Sequence, residues 1–226
     1  MKPYYIELAG NLGAGLTTVA GYLSENLDAF RFSTDYYRNM LYLIKNGASI
    51  NDFKTDSAKM LYTYLNDKYS EVKKLNDTDA AIYIEKAVKK ESLLKLKELT
   101  KNKESIIVDR HYKGSKKEKA LDDILIHGYN KKVIYIKSLD MSKNIERVAL
   151  KKLDYDNVNP RIKGFNVDYS SSYSNVLDLY EPNNDALMKV INNRWFDYII
   201  GNEKSLNDLE NNTKELCKTI KGNLCG

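Results

Sequence analysis

Short apolar, β-prone runs alternate along this chain with longer stretches in which apolar residues recur at helical spacing. Residues 4–9 (YYIELA), 30–33 (FRFS), 105–109 (SIIVD), 132–137 (KVIYIK) and 196–200 (FDYII) read as strands. Residues 17–27 (TTVAGYLSENL) read as a helix, and Thr34 and Asp35 as the loop that follows the second strand. A helix-rich stretch comes next. Residues 36–47 (YYRNMLYLIKNG) form a helix stopped by Gly47, residues 57–75 (SAKMLYTYLNDKYSEVKKL) carry an apolar stripe, and residues 79–101 form another amphipathic helix. Strands separated by helices imply right-handed crossovers, hence an α/β fold with about five parallel strands flanked by helices in three layers. Ligands of such a sheet sit beyond the carboxyl ends of its strands. The segments that directly follow strands are therefore expected to converge: 10–18, Asp35 and 109–111.

Those segments carry phosphate chemistry. Residues 10–18 (GNLGAGLTT) follow a strand and open a helix, with Gly10, Gly13, Gly15 and Thr17 in register with the P-loop pattern G-x-x-x-x-G-K-[ST]. Backbone N–H groups and the helix N-terminus of such a loop cradle phosphate oxygens, and its hydroxyl holds Mg²⁺. The lysine, however, is Leu16. Loss of one preorganised electrostatic contact of this kind costs about 2.7–4 kcal/mol of transition-state stabilisation. Asp109, at the end of SIIVD, reads as a Mg²⁺ or water-holding carboxylate, or else as a turn former after a strand. Arg110 beside it reads as a phosphate contact or a surface salt-bridge partner. Glycines can also serve close helix packing alone, so the loop by itself leaves a structural reading open.

Composition narrows the class. With 226 residues, three prolines, eleven glycines and no Pro/Gly/Ser-rich linker, the sequence is expected to form one domain over 1–226. No uncharged apolar run reaches membrane-spanning length, so a cytoplasmic protein without a membrane partner is expected. Cys217 and Cys225 lack a second pair or a histidine partner and read as incidental thiols. The net charge of +5 is spread over Lys-Lys pairs with acidic neighbours, which gives no basic stripe for nucleic acid.

The loop GNLGAGLTT resembles the GNIGAGK[ST]T loop of deoxynucleoside kinases, and DRHYKGS (109–115) resembles the DR[HY]xxS motif of thymidylate kinases; the two families share one fold. The resemblance extends more loosely over most of the chain. It implies ATP and Mg²⁺ as cofactors. Gly10, Asn11, Leu12, Gly13, Ala14, Gly15, Leu16, Thr17 and Thr18 would surround the donor phosphates, with Thr17 and Asp109 at the metal. Asp109, Arg110 and His111 would face the acceptor, and a lid over about 147–165 would bring Arg147, Lys151, Lys152 and Arg161 over the donor. Lysine in place of lid arginines gives charge without the bidentate fork. Tyr83 would stack on an acceptor base, or is a core aromatic. Asp35 and Arg38 stand where these families place a catalytic glutamate or an Arg-Glu-Pro segment, and match neither in full. Lys113 is the candidate to replace the missing loop charge.

Three function classes follow. The first is a nucleoside monophosphate kinase resembling thymidylate kinase, taking dTMP or a related deoxynucleotide, with a deoxynucleoside kinase as its variant. The second is a pseudokinase that holds a nucleotide or a protein partner. The third, a nucleic-acid binder stacking bases on its tyrosines, lacks a recognised module. Thymidylate kinases dimerise through helices, and the stripe in SAKMLYTYL would allow a homodimer here or simply pack a core.

Overall fold

In this computed structural model the described residues are 2–109, 125–151 and 195–222. Strand β1 (Tyr4–Gly10) is buried almost throughout, as a central parallel strand must be. It is flanked by β3 (Ile106–Val108) and β4 (Asn130–Lys137), and β2 (Phe30–Phe32) and β5 (Tyr198–Gly201) complete a sheet of order β2-β3-β1-β4-β5. Every pairing is parallel. The expected α/β architecture, five parallel strands flanked by helices, is therefore observed.

The described residues fall into two compact units. The first comprises the sheet with helices α1 (Leu16–Leu27), α5 (Met141–Lys151, up to Arg147) and α6 (Leu206–Gly222). Its core joins Ile6, Leu8, Ile107, Ile134 and Ile136 of the strands to Val19, Ala20 and Leu23 of α1 and to Leu209, Cys217 and Ile220 of α6. The second unit, whose described residues are 34–95 and 148–151, is helical: α2 (Thr34–Lys45), α3 (Asp56–Tyr69), most of α4 (Asp77–Lys101) and the end of α5. Leu41, Leu43, Ile44, Leu65, Val72 and Ile84 are fully enclosed in its own core. None of the described helices is long and apolar enough to cross a membrane.

Two expectations need correction. Thr34 and Asp35 do not form a loop; they open α2, where the Asp35 carboxylate lies in the first turn and accepts from Arg38 at 2.6 Å, an arrangement the helix dipole favours. The stripe over 57–75 is not one helix either. After Tyr69 the backbone tightens into a 3₁₀ turn (Ser70–Lys74), and Val72 within it is completely buried. Ala58, Tyr62, Leu65 and Tyr69 of that stripe pack inside the helical unit, so core burial accounts for most of its apolar residues.

Candidate functional site

The loop after β1 is shaped by left-handed glycines and braced by asparagines. Gly13 has φ +75° and Gly15 φ +96°, conformations that side chains rarely tolerate. A Cβ on Gly13 would fall 2.1 Å from the Asn144 carbonyl oxygen, so this glycine lets α5 press on the loop. A Cβ on Gly15 would fall 2.7 Å from Asn202 Nδ2, and that amide donates to the Ala14 carbonyl at 2.7 Å. Asn11 Nδ2 donates to the Ser138 carbonyl at 3.2 Å, and its Oδ1 accepts from the Tyr135 hydroxyl at 3.3 Å. Burial raises the Tyr135 pKa, which keeps that phenol a donor. Within the loop, Ala14 N–H closes a turn onto the Asn11 carbonyl at 3.0 Å.

Helix α1 starts from this loop without a side-chain cap on Gly15 and without an acidic residue in its first turn. Gly15 thus contributes no capping side chain, and the first turn no carboxylate of its own, at the positive end of the helix dipole. Thr17 and Thr18 are half-buried there, as is Leu12 in the loop. Leu16, by contrast, is turned inward, 6% exposed and part of the sheet-unit core. Where a P-loop lysine would extend toward phosphate, this side chain anchors the helix start.

Asp109 lies at the carboxyl edge of β3, 7% exposed, and its N–H donates to the Phe32 carbonyl at 2.9 Å. Its Oδ2 is held at 3.0 Å by Arg31 Nη2 from β2. Beside the loop, the buried side chains of Ser138 and Asn144 hydrogen-bond each other at 2.7 Å, and Arg147 Nη1 stands 3.4 Å from both. The loop, Asp109 and Arg147 are thereby placed in the sheet unit.

Asp35, Arg38 and Tyr83 belong to the helical unit. Arg38 makes a fork to Glu85 at 2.6 and 3.2 Å while donating to Asp35, and the Glu85 hydrogen bond is the main reason its pKa is raised. Tyr83 is half-buried against the helical core, edge-on to Tyr69 with ring centroids 6.2 Å apart. Arg110, His111, Lys113, Lys152 and Arg161 lie outside the described residues, as does the expected lid beyond 151; Lys151 ends α5.

Sequence reasoning passed over Arg31, Ser138, Asn144 and Asn202. Asparagines directly after a strand or in the first turn of a helix were the available signal for two of them, and a charged residue centred in FRF for the first.

The donor set can be tested against the groups the loop implies. N–H groups at a helix start and left-handed glycines suit the oxygens of a nucleotide's phosphates. A carboxylate-held divalent cation fits less well, because Asp109 already carries a guanidinium counter-charge. No protein-family model and no curated protein matches the chain. Among solved structures it is similar to TT1252 from Thermus thermophilus, at 17% identity and TM-score 0.52 over 100% of each chain. A protein of Chloroflexus aurantiacus j-10-fl, provisionally named a kinase, is similar at 11% identity and TM-score 0.50, covering 96% of this chain and 97% of that one. These likenesses concern the fold alone, a five-stranded parallel sheet flanked by helices.

Proposed function

We propose that the protein is a nucleotide-binding phosphotransferase of P-loop kinase fold that acts on a nucleoside monophosphate, dTMP or a related deoxynucleotide, with ATP as donor. The observation that carries this reading is the start of α1 on the loop with left-handed Gly13 and Gly15, in the same sheet unit whose β3 edge holds Asp109. ATP, when bound, supplies the phosphoryl group. The chain's own part is positional. N–H groups of the first turn of α1 hold the donor phosphates, Thr17 adds a hydroxyl, and Asn11 and Asn202 keep the loop in the shape that aims them. The DRH segment, which resembles the thymidylate kinase motif, favours a monophosphate acceptor over a nucleoside.

A second reading, a pseudokinase that binds nucleotide without transfer, is favoured by the inward Leu16 and by the neutralised Asp109. A coupled ADP-release assay with ATP and Mg²⁺ against a panel of nucleosides and nucleoside monophosphates, run beside Leu16→Lys, separates the two. Turnover by the natural chain, greatest on a deoxynucleoside monophosphate, is the result expected of the first reading. Silence with ATP still bound would select the second, and preference for a nucleoside would move the acceptor assignment.

A further inference from the structure

We propose that Arg31 is the resident counter-cation of Asp109, standing where a divalent cation would otherwise balance that carboxylate, so that the loop takes nucleotide phosphates equally well with and without a divalent cation. The inference rests on the reading of the loop as a phosphate cradle and concerns how its charge is balanced.

The first support is geometric. Arg31 Nη2 lies 3.0 Å from Asp109 Oδ2, and the two side chains are 24% and 9% exposed, so the pair is partly shielded from water. Register gives the second. Arg31 aligns with Ile107 on β3, and aligned residues of parallel strands project from the same face, as does Asp109 two positions further on. Ile107 packs in the core with Val19, Ala20 and Leu23 of α1. The ion pair is thus carried on the sheet face covered by α1, the helix whose N-terminus forms the proposed cradle.

Charge balance is the third support. A lone carboxylate at this edge would repel a polyphosphate, and a P-loop commonly meets that problem with a lysine and a metal ion. Here the lysine is replaced by Leu16, which packs in the core. A guanidinium on Asp109 cancels the carboxylate without a metal. A dication on the same carboxylate would have to displace Arg31 or sit beside its charge.

Calorimetric titration of ATP into the full chain, in EDTA and in excess Mg²⁺, tests this with Arg31→Gln and Asp109→Asn alongside. The natural chain is expected to show dissociation constants within about threefold in the two buffers. Arg31→Gln should lose about tenfold or more in EDTA and regain most of it with Mg²⁺, because the bared carboxylate then needs a cation. Asp109→Asn should bind more tightly than the natural chain in EDTA. Binding of ATP by the natural chain only with Mg²⁺ would overturn the role of Arg31 and leave the cradle standing. Absence of binding in both buffers would overturn the cradle, and the inference with it. An Arg31→Gln profile identical to the natural one would make the pair purely structural and overturn the proposal. Should Arg31→Gln fail to fold, the double variant Arg31→Gln/Asp109→Asn, which leaves no bared charge, is expected to bind independently of metal; metal dependence there would equally overturn it.

Discussion

Two buried carboxylates in different units differ in how their charge is balanced. Glu91, in the helical unit, is 3% exposed and accepts from the Tyr64 hydroxyl at 2.8 Å, from the Tyr69 hydroxyl and from Lys68 Nζ at 2.7 Å. Asp109, in the sheet unit, is 7% exposed, and among the described residues its carboxylate has one charged partner, Arg31. Burial pushes the Glu91 pKa up, but the hydrogen bonds from Lys68, Tyr69 and Tyr64 outweigh it and hold the carboxyl below its ordinary value. A carboxylate saturated by three donors inside a helical core serves the fold. One at the edge of a strand is balanced, among the described residues, by a single cation.

The largest effect that would sharpen this comparison is expected from Glu91→Ala. It leaves the Tyr69 hydroxyl and the Lys68 ammonium without their acceptor, and removal of one side of a buried charged network costs about 3–5 kcal/mol. Urea unfolding measures it, and a loss below about 1 kcal/mol would place Glu91 with ordinary surface groups. Next comes Gly13→Ala. The new methyl meets the Asn144 carbonyl at 2.1 Å and the backbone holds φ +75°, so a loss of about 2–3 kcal/mol is expected together with loss of ATP binding. Retained stability with retained binding would show that α5 does not press on the loop.

Leu16→Lys is expected to cost about 1–3 kcal/mol, because a core leucine is lost and the replacement must reach outward. The same variant is expected to bind ATP more tightly, by titration, than the natural chain. The smallest effect is a pH dependence. Since the folded pKa of Glu91 lies below its reference 4.5, its contribution is fully present above that value and is lost as pH falls through the folded one. The stability difference between the natural chain and Glu91→Gln should therefore shrink on acidification below about pH 4.5. A difference that stays constant there would show that Glu91 is not held ionised by its donors.

Much of the sheet was legible because its strands are compact, β-branched runs, and the loop because its glycines stand at fixed spacing. What the sequence hid is non-local. Arg31 sits between two phenylalanines in a three-residue strand, the usual pattern of an edge strand with its polar side chain outward; only the placement of β2 beside β3 brings it to Asp109. Glu91 follows two lysines in α4 and reads as solvated, yet Tyr64 and Tyr69 of α3 enclose it. Leu16 reads as an absence of charge, whereas its inward packing is a positive structural choice. Asp35 was misplaced for a local reason, since a threonine and an acid after a strand suit a turn and a helix start equally.

The central claim is that backbone groups at the start of α1 hold nucleotide phosphates while the helical core around Glu91 is structural. Amide chemical shifts followed during an ATP titration test it most directly. The account predicts concerted shifts of Gly13, Gly15, Leu16, Thr17 and Thr18, with the amides of Tyr64, Tyr69 and Glu91 unmoved. Shifts confined to residues around Glu91, or none at the loop at saturating ATP, would contradict it.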